Sequence, residues 1–195
     1  MTRSLSDDRP DDPADRTGSD GTAVADAEPA TVTGGAASDD PGRIKVGVGE
    51  LAVTDGDAVL TTSGLGSCVA VALVDERAGV RGLLHAMLPT SEGRSTAGSR
   101  PAKYVDTGVD SLIGALDDAG ADPRRLKARV AGGAEMLDLT NAVGPRNVER
   151  TGEVLDAANV PVVASDVGDA VGRTVRLGPD GRLVIRAADG FERAI

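Results

Sequence analysis

Three features of the chain predict an α+β domain with a largely antiparallel or mixed sheet. Strand-like segments crowd its first half. Helical periodicity appears only later, interleaved with further strands. Its apolar content comes almost wholly from Val, Leu, Ile and Ala, because Tyr104 and Phe191 are the only aromatic residues. At 195 residues the chain suits one domain of ordinary size plus a tail, and 40% apolar residues suffice for a core.

Residues 1–42 are rich in Asp, Ala, Gly, Pro, Ser and Thr and carry almost no large apolar residue after Leu5. Such a segment cannot bury enough surface to offset its ordering entropy, so it is read as a disordered acidic tail. The folded domain is expected over residues 43–195. Ile44, Val46, Val48 and then Leu51 to Val53 alternate as one strand. Asp55-Gly56-Asp57 reads as a turn and Ala58 to Thr62 as its returning strand. Ser63-Gly64-Leu65-Gly66-Ser67 follows as a glycine-hinged loop. Cys68–Val74 and Val80–Leu88 read as buried strands separated by Asp75 to Gly79.

Helices come later. Tyr104 to Ala119 carries Val109, Leu112, Ile113 and Leu116 at helical spacing, with Gly120 as a stop. Arg129 to Ala131 is a short strand leading into Gly132-Gly133. Asn147 to Asn159 reads as a second helix with Val148, Leu155 and Ala158 facing the core. Val160 to Ala164 is a strand whose Pro161 favours an edge or a strand start. Arg173–Leu177 and Arg182–Arg186 flank Gly178-Pro179-Asp180-Gly181, a hairpin turn.

Net charge is −10, which argues against a nucleic-acid footprint. Residues 1–42 hold ten acids and three bases, so most of the excess lies there. The acids are mostly Asp and the lysines only Lys45, Lys103 and Lys127, a balance that suits a salt-rich cytosol. No run of ~18 apolar residues is present, so no membrane span is expected. No basic region followed by an apolar stretch opens the chain, so no secretory signal is expected either. A single cysteine excludes an intramolecular disulfide and fits a reducing, cytosolic setting.

That cysteine, Cys68, and the only histidine, His85, are the two parts of a thiol nucleophile. If their strands form a hairpin centred between Glu76 and Arg77, they lie directly opposite on one face, Cβ atoms ~4.5–5.5 Å apart. A bulge at Gly79 would send them to opposite faces. An imidazole beside the thiol can take its proton, hold the thiolate as an ion pair and later protonate a leaving amine. The loop containing Gly64, Gly66 and Ser67 lets backbone N–H groups approach a substrate oxygen, with Cys68 N–H a further donor. A third group often orients the histidine, and Thr61 and Thr62 are both candidates. A lone cysteine in an apolar strand is most often a small buried hydrophobe, so residue types alone leave the role open. One Cys and one His do not make a zinc site, and no metal or cofactor is expected.

Thr62-Ser63-Gly64-Leu65-Gly66-Ser67-Cys68-Val69, followed by His85-Ala86-Met87-Leu88-Pro89, resembles the chemoreceptor glutamine deamidase family, CheD. The resemblance continues, in order, through Lys103-Tyr104-Val105-Asp106, Gly132-Gly133-Ala134-Glu135-Met136, Gly144-Pro145-Arg146-Asn147-Val148 and Asp166 to Arg173. It implies hydrolysis of selected glutamine side-chain amides on methyl-accepting chemotaxis receptors, giving glutamate and ammonia. The family's catalytic cysteine, histidine and threonine fall on Cys68, His85 and Thr62. The resemblance also implies a CheC-type phosphatase as partner, and a fold of stacked mixed sheets flanked by helices, related to deamidating toxin cysteine hydrolases. Asp169 stands where the family usually has glycine, which puts the local turn in question. Two other readings are carried beside the enzyme. One is a docking module that acts chiefly by binding the phosphatase and receptors. The other is transamidation onto an amine through the same thioester.

Overall fold

In a computed structural model, residues 42–92, 100–135 and 142–195 are described. The tail expected over residues 1–42 lies, but for Gly42, outside the described residues, as does Met136. The elements run β1 (Arg43–Lys45), β2 (Glu50–Thr54), β3 (Val59–Leu65), β4 (Val69–Asp75), β5 (Val80–Ala86), α1 (Val105–Asp118), β6 (Lys127–Gly132), α2 (Val143–Ala157), β7 (Val162–Val167), β8 (Arg173–Leu177), β9 (Leu183–Ala187) and β10 (Glu192–Ala194). They form two five-stranded sheets, one in the order β1-β3-β8-β9-β10 and the other β2-β5-β4-β6-β7. Two pairings, β1 with β3 and β6 with β7, are parallel and the rest antiparallel, so the expected α+β class with mixed sheets holds.

The second sheet is the middle layer. Every residue of β4 and β5 is buried, so neither strand shows alternation. The two faces nevertheless pack against different layers. Val69, Val71, Leu73 and Leu84 face α1 and α2, together with Val109, Leu112 and Leu155. Ala70, Ala72, Val74 and Leu83 face the first sheet, against Leu60, Leu65, Val175 and Ile185. α1 lies over β5, and Gly82 is the close-approach point: a Cβ there would come 2.6 Å from Leu112 Cδ1.

Three sequence expectations are corrected. Ile44 to Val53 is not one strand. The chain reverses at Gly49, whose φ is +72°, and the Glu50 carboxylate accepts the Gly47 N–H at 3.0 Å. β1 and β2 therefore enter different sheets. Asp55-Gly56-Asp57 is likewise not a hairpin turn but a crossing between sheets. The Arg81 guanidinium, buried on the inner face, donates to the Gly56 and Ala58 carbonyls at 2.6 and 2.7 Å and holds the crossing in place. The loop expected over Ser63 to Ser67 is mostly strand. β3 continues to Leu65 through a register shift between Thr62 and Leu65, where Gly64 takes a φ of +76°.

The β4–β5 hairpin, α1, β6 and the β8–β9 hairpin fall where expected. β7 is an edge strand, as Pro161 suggested. α2 begins at Val143, earlier than expected, because Pro145 sits in its first turn, where no intrahelical N–H is needed. β10 had no signal in the sequence. Asp169 adopts a φ of 55°, so the turn keeps a glycine-like backbone. Its carboxylate accepts from Arg173 at 3.3 Å. No helix among the described residues is long and apolar enough to cross a membrane.

Candidate active site

Cys68 and His85 share a face, but not in the register expected. The β4–β5 ladder pairs Ala70 with His85 and Asp75 with Val80, so each residue's partner lies two positions beyond the expected one and the centre falls between Arg77 and Ala78. An offset of two preserves the face. Cys68, just before β4, is therefore the diagonal rather than the direct neighbour of His85, on the side packed against the first sheet. The tighter pairing that would put them opposite each other does not form, because the turn Asp75 to Gly79 is closed by Asp75. Its carboxylate accepts the N–H groups of Arg77 and Ala78 at 3.1 and 3.2 Å.

The third member comes from the other sheet. Thr62 and His85 are both buried, and Thr62 Oγ1 lies 2.7 Å from His85 Nδ1. Thr61 points elsewhere, its hydroxyl donating to the Val175 carbonyl at 3.0 Å. Strand alternation in β3 separates the two threonines: Leu60 and Thr62 face inward, Thr61 does not. With Nδ1 engaged, the other ring nitrogen, Nε2, is buried and has no hydrogen-bond partner among the described residues. Cys68 is only half-buried and is a free thiol. The imidazole is thus the more deeply buried of the two groups.

Burial governs the protonation of both groups. It pushes the Cys68 thiol up, and the residue's own backbone N–H pulls in the opposite direction. It pushes His85 down to about 4. Both shifts favour the uncharged form of their group, and His85 Nε2 makes no hydrogen bond to Cys68.

Of the residues expected in a substrate loop, Gly66 and Ser67 lie between β3 and β4, just before Cys68. Gly64 lies within β3, at the register shift, and is exposed. The Gly66 N–H donates to the Gly64 carbonyl at 3.0 Å and is therefore already engaged within the chain. The loop is instead anchored by its carbonyls. Gly66 O accepts from Ala134 N at 2.8 Å, Cys68 O from Gly133 N at 2.7 Å, and Ser67 O from Asn147 Nδ2 at 2.8 Å. Asn147 was read as the start of a helix and as part of the Gly144 to Val148 resemblance, with no role at the site. Its signal was present: α2 buries Gly144, Asn147, Thr151 and Leu155, so two polar residues occupy the core-facing stripe.

Fold and site together define a class: an α+β domain of two stacked sheets with a cysteine at its inner margin and a histidine held by a threonine from the facing sheet. A family model described as CheD chemotactic sensory transduction matches residues 87–187. A Haloarcula marismortui protein, named probable chemoreceptor glutamine deamidase CheD, is 44% identical over 153 residues, covering 76% of this chain and 87% of its own. The Bacillus subtilis protein named chemoreceptor glutamine deamidase CheD is 38% identical over 158 residues, covering 78% of this chain and 95% of its own. Among solved structures, Bacillus licheniformis YfiH overlaps with a TM-score of 0.42 at 12% identity, over 62% of this chain and 51% of its own. The chain belongs to the CheD family of chemoreceptor glutamine deamidases.

Proposed function

We propose that the chain is a protein-glutamine deamidase acting on methyl-accepting chemotaxis receptors, with Cys68 as nucleophile, His85 as general base and acid, and Thr62 as the group that orients His85. The observation that carries this reading is the Thr62–His85 bond at 2.7 Å, which leaves a buried Nε2 without partner on the face that bears Cys68. A buried ring nitrogen left unpaired is costly and calls for a functional reason. The names of the relatives supply the substrate class.

In the tautomer that supports this chemistry, Nδ1–H donates to Thr62 Oγ1 and Nε2 carries the lone pair. As Sγ attacks the carboxamide carbon, its proton passes to Nε2 and the carbonyl oxygen becomes an oxyanion beside the Cys68 N–H. Collapse of the tetrahedral species breaks the C–N bond, and Nε2–H protonates the departing nitrogen to give ammonia. Water, deprotonated by Nε2, then attacks the thioester, and the thiol leaves with the proton to regenerate Cys68 and a glutamate side chain. Because both groups rest neutral, proton transfer accompanies attack. A charged pair would pay a desolvation penalty in this site before substrate arrives.

A CheC-type phosphatase is the expected protein partner, and the reducing cytoplasm the expected location, since a free half-buried thiol is the nucleophile. The acidic, lysine-poor composition fits a salt-rich interior. Ammonia release from a receptor cytoplasmic fragment tests the reading. Wild type should release ammonia and Cys68→Ala should not; release by folded Cys68→Ala refutes it. Chemotaxis of cells carrying Cys68→Ala should match that of a deletion, whereas a clearly milder defect would favour the docking role.

A further inference from the structure

Asn147 reaches the nucleophile loop from the helix side of the middle sheet. It is fully buried, and Nδ2 donates both to the Ser67 carbonyl at 2.8 Å and to the Met87 carbonyl at 3.1 Å. Ser67 precedes Cys68, and Met87 follows the strand that carries His85. Two carbonyl acceptors fix which end of the amide faces them, since only the nitrogen can donate. Oδ1 is then left buried and without a partner among the described residues. An unsatisfied buried acceptor costs ~1–3 kcal/mol, a cost an apolar side chain in this place would avoid.

The benefit lies in the peptide plane. A peptide unit is planar and trans, so the Ser67 C=O and the Cys68 N–H point in opposite directions. Asn147 draws the carbonyl toward α2. The Cys68 N–H is thereby aimed at the inner face, where Cys68 packs against the first sheet and where the attacked carbonyl oxygen must lie. The neighbouring carbonyls of Gly66 and Cys68 are held by main-chain N–H groups of Ala134 and Gly133. Of the three, only the Ser67 carbonyl is held by a side chain, so a substitution can release it alone. The Cys68 N–H also favours the thiolate of its own residue, consistent with that orientation.

We infer that Asn147 is a positioning residue that sets the Ser67–Cys68 peptide so that the Cys68 N–H serves as oxyanion donor. This rests on the proposed deamidase reading. It acts through Ser67 and touches neither substrate nor sulfur.

The test uses the full chain with Asn147→Ala and the shape-preserving Asn147→Asp, which lacks the donor. Two quantities are read: kcat and KM for deamidation of a receptor cytoplasmic fragment, and the pH dependence of iodoacetamide alkylation, which reports on Cys68 as the only cysteine. Misaiming one oxyanion donor should lower kcat ~10–100-fold with KM little changed, since the loss falls on the transition state. The alkylation inflection should move to higher pH. Leu155→Val, a packing loss on the same face of α2, should lower Tm and move neither readout. If Asn147→Ala does not fold, Asn147→Asp is read in the same way. A folded variant with wild-type kcat and an unmoved alkylation profile overturns the inference. A wild-type protein that does not deamidate would instead defeat the deamidase reading, and the alkylation profile would still decide the part played by Asn147.

Discussion

Thr62 and His85 stand on different sheets, yet the threonine hydroxyl lies 2.7 Å from His85 Nδ1, and both residues are buried at the interface between the layers. The orientation of the imidazole is therefore a product of sheet stacking and not of the hairpin that carries it. Cys68 and His85 arise from one local hairpin, but the tautomer proposed to make Nε2 a base depends on the whole sandwich.

Thr62→Val keeps the shape and removes the hydroxyl. Nδ1 becomes a second unpaired buried nitrogen, a loss of ~1–3 kcal/mol. If that loss falls on the transition state, kcat drops roughly 5–150-fold. Thr62→Ser, which retains the hydroxyl, should recover most of it. Steady-state deamidation kinetics on the three proteins check this.

The depressed pKa of His85 also makes stability depend on pH. Its folded value, about 4, lies below the ordinary 6.5, so between these values the unfolded chain binds more protons than the folded one. Stability contributed by the neutral imidazole is full above pH 6.5 and is lost as pH falls toward 4, by roughly 3 kcal/mol in total. Denaturant unfolding of wild type and His85→Leu across this range should show a slope in wild type that the variant lacks.

Catalysis should follow the same group. With the base deprotonated down to about pH 4, kcat/KM should have no acid limb near 6.5. A rate that is flat between about pH 5.5 and 7.5, after correction for substrate stability, is expected. An inflection near the ordinary histidine value would mean that the ring is solvated in the working enzyme.

Gly144→Ala should damage the site from a distance. A Cβ at Gly144 would collide with the carbonyl oxygens of Ala134 and Gly133, on the segment that anchors Cys68 and Gly66. α2 would have to move outward, taking Asn147 with it. Such overpacking costs about 1–3 kcal/mol, and the expected result is a lower Tm together with a lower kcat.

Much of this was legible in the chain, for identifiable reasons. The β4–β5 hairpin, α1 and the β8–β9 hairpin are local structures bounded by strong turn and stop residues, and they fell in place. The shared face of Cys68 and His85 was also legible, because a two-residue error in register leaves parity unchanged. What the residues alone could not separate was Thr61 from Thr62, since the choice depends on which face of β3 meets the other sheet; the resemblance pointed to Thr62, and the structure places it against His85. The crossing from β2 to β3, which lie in different sheets, was missed because it rests on Arg81, whose guanidinium anchors it from 23 and 25 residues away. Asn147 was missed for a similar reason: its partners, Ser67 and Met87, lie 80 and 60 residues away.

The most direct measurement is peptide-level mass spectrometry of a receptor cytoplasmic fragment after incubation with wild type, Cys68→Ala and His85→Leu. Wild type should convert particular glutamines to glutamate, and neither variant should convert any although both retain the fold. Conversion at the same glutamines by folded Cys68→Ala, or none by folded wild type on a folded receptor fragment, would contradict it.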